Sequence, residues 1–219
     1  PPSCAGTIAG AFPSSSLKIP TLRISFETAA ISASGIRAAL DVMGKKDIQV
    51  LAWAGDGGTL DIGIQALSAT AERNDNIIYV CYDNEAYMNT GIQRSSATPE
   101  GAWTTTTPVP FTKDTPKKDI VRIMAAHKIP YIATASVGFP SDLIKKVQKA
   151  KEVVGTKFIL VFSPCPTGWR YSSEMTIHIA KLATEAGIFP LYEVENGDKS
   201  RLTRSGWKAE SLKAYFSLQ

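Results

Sequence analysis

The chain has 219 residues, a hydrophobic fraction of 44% and a formal net charge of +4, which is enough apolar content for one large buried core. No window of 18 consecutive apolar residues is present, so no membrane span is predicted. The charge is mild and the lysines are not interleaved with aromatic residues, so we expect neither a nucleic-acid partner nor a membrane partner.

Helices and strands alternate along the predicted chain after a loop over about the first 20 residues. The first half contains a helix over 25–42, a strand over 48–54, a helix over 61–73 and a strand over 76–82. The second half contains a helix over 119–127, a strand over 131–136, a helix over 141–153 capped by Ser141, a strand over 157–163, a helix around 176–186 and a strand over 191–194.

This alternation predicts an α/β fold with a doubly wound, mostly parallel sheet and helices on both faces. Residues 83–118 form a long polar connection with several prolines. A structureless connection of that length in a compact domain is usually functional, and the alternative is that it contains helices or strands that the sequence pattern does not reveal.

The cysteine count bears on the cellular compartment. Three cysteines are an odd number, and the chain has no secretory leader pattern, which argues against a disulfide scaffold and favours a cytoplasmic protein. The chain begins at Pro1 without an initiator methionine and ends at Gln219 directly after an amphipathic run. We therefore expect residues 1–219 to be a single domain that is truncated at both ends.

Lysines cluster in two parts of the sequence. The simpler interpretation is that they lie on solvated faces, and the alternative is a docking face for an acidic partner. The two clusters are Lys113, Lys117 and Lys118, and Lys145, Lys146, Lys149 and Lys151.

Two polar segments follow neighbouring predicted strands. Gly55-Asp56-Gly57-Gly58 follows the strand over 48–54, and Asp83-Asn84-Glu85-Ala86 follows the strand over 76–82. Parallel strands bring both segments to the carboxyl edge of the sheet, where open α/β sheets bind ligands. A carboxylate, an amide and free carbonyls suit Mg²⁺, and glycines allow phosphate oxygens to approach the backbone. A plain strand-to-helix turn is the alternative reading of the first segment.

The motif closely resembles the thiamine diphosphate signature of the β subunits of 2-oxoacid:ferredoxin oxidoreductases. The resemblance covers Gly55–Gly63 and Tyr82–Ser95, and it extends to Ser163-Pro164-Cys165-Pro166-Thr167-Gly168-Trp169 and other segments along nearly the whole chain. It implies thiamine-dependent oxidative decarboxylation of a short 2-oxoacid, with electrons passed through a [4Fe-4S] cluster to ferredoxin. Pyruvate is the expected substrate. Oxalate is the alternative, since Arg23 stands where the family more often has histidine.

The resemblance also implies roles for individual residues. Asp56, Asn84 and the Ala86 carbonyl would bind Mg²⁺, and Asn89 would lie near the thiazolium ring as the catalytic residue. The expected contacts to thiamine diphosphate come from the glycines and from the loop after the second strand, namely Gly55, Gly57, Gly58, Tyr87, Met88, Asn89 and Thr90.

In this family four cysteines hold the iron–sulfur cluster. Cys4 and Cys165 match two of them, and the other two have no counterpart in this sequence. Two thiolates cannot hold a four-iron cluster unaided, so the missing ligands are expected in a part of the protein outside this chain. Cys81 lies inside an apolar strand, where a small buried residue is the simplest interpretation.

The implied partners are an α subunit, with γ and δ subunits as further candidates, together with ferredoxin, the 2-oxoacid and coenzyme A. The α subunit would supply the glutamate that activates thiamine, so the active site would lie between subunits. Two alternatives remain at this point. One is a non-oxidative thiamine diphosphate enzyme such as a decarboxylase or acetolactate-type synthase. The other is a non-catalytic nucleotide-binding or assembly module.

Overall fold

The structure is a computed structural model that describes residues 18–204 and 207–217. The strands are β1 (Leu51–Gly55), β2 (Ile78–Asp83), β3 (Ala86–Tyr87), β4 (Gln93–Arg94), β5 (Tyr131–Ser136), β6 (Lys157–Phe162), β7 (Leu191–Glu195) and β8 (Lys199–Arg204). The helices are α1 (Ala29–Val42), α2 (Ile64–Glu72), α3 (Ile120–Ala126), α4 (Pro140–Glu152), α5 (Pro166–Trp169), α6 (Thr176–Glu185) and α7 (Ala209–Ser217). A π-helical turn spans Gly57–Asp61, and a 3₁₀ turn spans Ser173–Met175.

Six strands form the main sheet in the order β1-β2-β6-β5-β7-β8. The first four strands in that order run parallel, whereas β7 pairs antiparallel with β5 and β8 pairs antiparallel with β7. The predicted α/β fold with a mostly parallel sheet is therefore confirmed. Strands β3 and β4 form a separate two-stranded hairpin.

Side chains of the central strands alternate between two apolar layers. Tyr79 and Phe158 belong to a large cluster with α1, α2, α3, α6 and α7, whereas Val80 and Ile159 belong to a smaller one on the other face. Leu143, Val147 and Ala150 of α4 cover that second face. Helices thus cover both faces, as predicted, but five of them pack against one face. Within the described residues, no helix combines the length and hydropathy needed to cross a bilayer.

Two helices begin later than predicted. Helix α1 starts at Ala29 because Thr28 closes a turn onto the Ser25 carbonyl, with its hydroxyl 2.9 Å and its N–H 3.1 Å away. Helix α2 starts at Ile64 because the π-helical turn occupies the preceding residues. Helix α4 starts one residue early, at Pro140, whose fixed φ suits a first helical turn, so the N-cap is Phe139 and not Ser141.

Strand β8 and helix α7 were not predicted. The sequence of β8 is Lys-Ser-Arg-Leu-Thr-Arg, and most of its residues are exposed. A strand at the edge of a sheet with polar side chains on both faces carries little hydrophobic alternation for a sequence pattern to detect.

Lys157, in the buried strand β6, has no exposed side-chain surface, and its Nζ donates a hydrogen bond to Asn76 Oδ1 over 2.6 Å. Burial lowers the pKa of Lys157 from 10.5 to about 8, with a smaller effect from the charge of Arg37. In the unfolded chain this amine returns to its ordinary pKa, so between pH 8 and 10.5 the unfolded state binds more protons and stability rises with pH.

We expect Lys157→Met to remove that pH dependence. Relative to the variant, the unmodified protein should gain about 3 kcal/mol of unfolding free energy across this pH window. Denaturant titrations at several pH values check this, with Lys145→Met on the exposed side of α4 as the control. Parallel pH profiles for the unmodified protein and Lys157→Met would show that Lys157 is charged throughout.

Candidate functional site

The carboxyl ends of three neighbouring parallel strands meet at one cavity of about 320 Å³. Asp56 follows β1, Asn84 follows β2 and Cys165 follows β6, and all three line the cavity. Other predicted site residues in its wall are Gly55, Gly57, Ala86, Tyr87, Met88 and Asn89. The cavity therefore lies at the edge of the sheet where the sequence predicted a ligand site.

Two predicted site residues lie elsewhere, and the location of a third is not described. Gly58 is buried behind the cavity wall against the Phe26 carbonyl, and Thr90 is exposed, with its hydroxyl 2.5 Å from Gln93 Oε1 in the β3–β4 turn. Cys4 lies outside the described residues.

Three oxygen-bearing groups converge in the cavity. The amide head of Asn84 is 3.0 Å from Asp56 Oδ1 and 2.9 Å from the Ala86 carbonyl oxygen. With its nitrogen turned inward, the amide donates hydrogen bonds to both. With its oxygen turned inward, that oxygen lies at distances from the other two oxygens that suit adjacent ligands of an octahedral ion, because ligands about 2.1 Å from Mg²⁺ are about 3 Å apart. The donor set therefore fits Mg²⁺.

Asp56 is 1% exposed and accepts a 2.5 Å hydrogen bond from Ser95 Oγ. Burial raises the pKa of Asp56 well above its ordinary value, and the charge of Asp83 raises it further, whereas the Ser95 hydrogen bond and Lys117 act in the opposite direction. A bound cation next to the carboxylate favours its charged form. The burial of this carboxylate is consistent with a metal ligand.

The glycine turn after β1 leaves room for an aromatic ring. A Cβ atom at Gly57 would lie 2.3 Å from a ring carbon of Tyr87, so no larger residue fits there without displacing the ring. Tyr87 Oη donates to Asp61 Oδ2 over 3.0 Å, and the Tyr87 ring packs against Phe26 with centroids 5.8 Å apart. Phe26 lines the cavity because the chain before α1 forms a turn instead of the predicted helix.

Residues 84–119, between β2 and α3, fold back over the site, and we call them the connecting segment. Ser96 donates to Asp61 through both its N–H, over 3.0 Å, and its hydroxyl. Lys118 Nζ donates to the Leu60 carbonyl and lies 3.6 Å from Asp61 Oδ1. These contacts join the connecting segment to the turn after β1. They support the interpretation that this long connection is functional.

The prediction of solvated lysines is wrong for several of them. Lys113 is 3% exposed and donates to the carbonyls of Thr98 (2.6 Å) and Pro116 (3.1 Å). Lys146 is 2% exposed, and its acceptors are the Thr134 carbonyl, Asp142 Oδ2 and Thr203 Oγ1. Clusters of lysines in sequence indicated surface, but these ammonium groups satisfy buried carbonyl and hydroxyl oxygens.

Cys165 is half-buried at the cavity, next to a close contact between Met88 and Gly168. A Cβ at Gly168 would lie 2.1 Å from Met88 Sδ and 3.6 Å from Cys165 Sγ. Cys81 is fully buried in β2, as predicted. No three His, Cys, Asp or Glu side chains converge as metal ligands within residues 18–204 and 207–217. The four-cysteine cluster stays a prediction.

Several residues of the site were not predicted. Ser95, Asp61 and Lys117 contact the predicted ligands or the turns that carry them. Tyr82, Ile92, Thr167 and Gly168 also line the cavity. The Cys165–Trp169 motif is the part of the sequence that could have indicated some of these residues. In the structure it lies next to the predicted ligand Asn84, because Trp169 Nε1 donates to the Asn84 carbonyl over 3.0 Å.

Replacing Gly57 by alanine should disturb the cavity. The added methyl group must displace the Tyr87 ring, which costs about 1–3 kcal/mol of stability by overpacking and breaks its hydrogen bond to Asp61. We expect a lower unfolding midpoint and weaker binding of the predicted cofactor, measured by thermal unfolding and by ligand titration. Gly35→Ala in α1 is the control, since a Cβ there meets nothing within 4 Å. Equal unfolding midpoints and equal ligand affinities for Gly57→Ala and Gly35→Ala would contradict the close contact between Gly57 and Tyr87.

Comparisons of the chain with protein families and with individual proteins agree with one another. The family described as "Thiamine pyrophosphate enzyme, C-terminal TPP binding domain" matches residues 15–161. The chain is 48% identical to pyruvate synthase subunit PorB of Methanothermobacter thermautotrophicus, over 99% of this chain and 76% of that protein. It is 54% identical to the PorB subunit of Pyrococcus horikoshii, over 89% of this chain and 60% of that protein.

Two further similarities extend the comparison. The chain is 51% identical to ketoisovalerate oxidoreductase subunit VorB of Pyrococcus abyssi, over 90% of this chain and 66% of that protein. Among solved structures, 2-oxoglutarate:ferredoxin oxidoreductase from Magnetococcus marinus superposes with a TM-score of 0.64 at 22% identity, covering 90% of this chain and 69% of that one. At this identity the structural likeness concerns the fold.

Proposed function

The chain belongs to the β-subunit family of the 2-oxoacid:ferredoxin oxidoreductases, and from this we propose that it binds thiamine diphosphate for the oxidative decarboxylation of a short 2-oxoacid. Thiamine diphosphate is the same compound as thiamine pyrophosphate. Residues 1–219 form one thiamine-diphosphate-binding domain in this proposal. The observation that carries it is the convergence of Asp56, Asn84 and the Ala86 carbonyl at the carboxyl edge of the sheet.

In this proposal three groups of the chain would hold Mg²⁺, which would supply positive charge for the diphosphate. Asp56 would provide the charged ligand, and Asn84 would provide its amide oxygen, which faces Asp56 Oδ1 and the Ala86 carbonyl in the structure. The Ala86 carbonyl supplies the third oxygen. In this proposal the backbone of Gly55 and Gly57, which line the cavity, would face the diphosphate, whereas Gly58 lies behind the cavity wall and would support the turn.

When bound, thiamine diphosphate supplies the carbanion that attacks the carbonyl carbon of a 2-oxoacid. The chain's own part is to orient the cofactor and to limit water. Met88 and Asn89 extend over the cavity from the end of the β3 strand, where Asn89 would contact the thiazolium and the substrate. Cys165 also lines the cavity, with Gly168 between it and Met88, and Phe26 and Tyr87 supply apolar surface.

We assign Cys165 as a ligand of a [4Fe-4S] cluster, together with Cys4 and with cysteines that the sequence of 219 residues does not contain. Its location supports this assignment, because Cys165 lines the same cavity as Asp56 and Asn84. A cluster held there would receive electrons next to the site of decarboxylation and pass them to ferredoxin. Thiolate is the usual protein ligand of such clusters.

A partner subunit completes the proposed active site. No glutamate lies among the described residues that line the 320 Å³ cavity, and thiamine chemistry needs one to activate the aminopyrimidine ring. An α subunit is the proposed source, and further γ and δ subunits belong to the proposed assembly. The relatives' names indicate pyruvate and 2-ketoisovalerate as substrates, so we propose pyruvate first, with 2-ketoisovalerate and oxalate as comparison substrates and coenzyme A as acyl acceptor.

The test is the cofactor content of the intact complex purified without oxygen. We expect thiamine diphosphate and Mg²⁺ in equal amounts, with iron and sulfide present in equal amounts to one another. Pyruvate-dependent reduction of ferredoxin should accompany them. Thiamine diphosphate without iron would move the protein to the non-oxidative thiamine enzymes. Failure to bind thiamine diphosphate in the presence of the partner subunit would overturn the proposal altogether.

A further inference from the structure

The turn that carries two of the three proposed metal ligands has an unusual backbone. Glu85, between Asn84 and Ala86, has a φ of +68°, which is uncommon for a residue other than glycine. Its N–H donates to Asp83 Oδ1 over 3.0 Å, and its carbonyl accepts from Thr98 Oγ1 over 2.5 Å. The left-handed conformation therefore depends on neighbouring groups that hold it in place.

One ammonium group joins the two acidic residues of this turn. Lys117 Nζ donates to Asp83 Oδ2 over 2.7 Å and to Glu85 Oε1 over 2.9 Å. The Asp83 side chain is fully buried and that of Glu85 is 11% exposed, so neither carboxylate is fully hydrated. The charge of Asp83 repels those of Asp56 and Glu85, and the charge of Lys117 offsets this repulsion.

Lys117 does not line the 320 Å³ cavity that holds Asp56 and Asn84. Its ammonium contacts Asp83, Glu85 and the Phe189 ring instead. Besides the long-range effect of its charge on Asp56, Lys117 can act on the metal through the Asp83–Ala86 backbone, which carries the Asn84 amide and the Ala86 carbonyl.

Resting on the proposed function above, we propose that Lys117 is a positioning residue for the Mg²⁺ site. By joining Asp83 to Glu85, it fixes the left-handed turn and aims the Asn84 amide and the Ala86 carbonyl at the ion. Without it, two buried carboxylates repel across the turn and the ligand oxygens leave their octahedral spacing. Groups that hold metal ligands from behind typically change metal affinity by about 10–100-fold when removed.

After removal of metal with EDTA and at a fixed excess of thiamine diphosphate, the experiment measures two Mg²⁺ concentrations of the intact enzyme. One is the dissociation constant from calorimetric titration with Mg²⁺, and the other, expected to change in parallel, is the Mg²⁺ concentration for half-maximal activity. We expect Lys117→Met to raise both concentrations by about 10–100-fold, while kcat recovers most of its value at saturating Mg²⁺. Lys117→Arg should restore the Mg²⁺ requirement to within about threefold of the unmodified enzyme, since a guanidinium can bridge both carboxylates.

Lys149→Met is the matched control. Lys149 also bridges two carboxylates, at 3.4 Å from Glu193 and 2.7 Å from Glu195, and its exposure of 35% is close to the 29% of Lys117. Its partner Glu193 contacts Tyr131 at the beginning of β5, at the opposite end of the parallel strands from the cavity. This variant should lower the unfolding temperature without changing the Mg²⁺ requirement.

An unchanged Mg²⁺ requirement in Lys117→Met, or an equal shift in Lys149→Met, would overturn the proposal. Should Lys117→Met fail to assemble, Glu85→Ala removes one arm of the same bridge, and we expect a rise of about 3–10-fold. An unchanged value for Glu85→Ala would likewise count against it. The unmodified enzyme is measured first. Activity of the unmodified enzyme without Mg²⁺ would remove the proposed metal site, whereas no activity at saturating Mg²⁺ and thiamine diphosphate would remove the proposed function itself.

Discussion

Replacing Asp56 by alanine should abolish the Mg²⁺-dependent binding of thiamine diphosphate. Asp56 is the charged group among the three converging ligands, and without it the Asn84 amide and the Ala86 carbonyl offer the ion two neutral oxygens. Calorimetric titration of the intact enzyme with thiamine diphosphate in Mg²⁺ measures the loss. If Asp56→Ala still binds thiamine diphosphate with an affinity within tenfold of that of the unmodified enzyme, Asp56 is not a metal ligand.

The same variant distinguishes a metal ligand from a structural carboxylate. Burial raises the pKa of Asp56, so the metal-free protein gains little from a charged group there. The unfolding temperature in EDTA should therefore change little in Asp56→Ala, while the increase that Mg²⁺ and thiamine diphosphate give the unmodified enzyme disappears. Asp47→Ala, in the exposed loop before β1, should retain that increase.

Replacing Cys165 by serine should remove the iron–sulfur cluster and stop the reduction of ferredoxin. A serine oxygen is a poor substitute for thiolate, so iron content should fall by about four atoms per subunit and the visible absorbance of the cluster should bleach. Thiamine diphosphate binding should persist, because the Asp56–Asn84–Ala86 set does not include Cys165.

Cys81→Ala is the control for that variant. Cys81 is fully buried in β2, and its removal creates a small cavity without changing the iron content. Unchanged iron in Cys165→Ser would withdraw Cys165 from the cluster, and equal loss of iron in both variants would point to a general loss of folding.

The sequence predicts those parts of the fold that carry a regular hydrophobic pattern. All six residues of β5 and all six of β6 are buried, and both strands were expected within one residue of their observed bounds. The antiparallel direction of β7 was not predicted, because a pattern of apolar residues is the same for either direction of a strand. Helix α7 was not predicted because it carries little apolar pattern, and its buried residues are Ser211 and Tyr215.

The site likewise contains residues that the sequence pattern predicts and residues that it does not predict. Asp56 and Asn84 were predicted because each follows a strand, and the strand ends fix their positions. Ser95 and Lys117 belong to the connecting segment, which has no periodic pattern, so their contacts with Asp56 and Asp83 depend on a three-dimensional path that the sequence does not encode locally. Lys113 and Lys146 were wrongly predicted to be solvated for the same reason. A sequence reveals the charge of a lysine but not the carbonyl groups that surround it in the folded protein.

The position of the ligands along the chain has a consequence for the order in which the protein matures. Asp56, Asn84 and Ala86 follow one another across a single strand–helix–strand unit of β1, α2 and β2, and short chain closures cost less entropy than long ones. Cys165 instead comes about 80 residues after Ala86 in the chain and follows β6, which lies between β2 and β5. Because synthesis proceeds from the amino terminus, the segment that carries the three proposed oxygen ligands leaves the ribosome before the cysteine has been translated. The proposed Mg²⁺ ligands thus belong to an early, local unit of the chain, whereas the proposed cluster ligand Cys165 depends on a later and more distant strand.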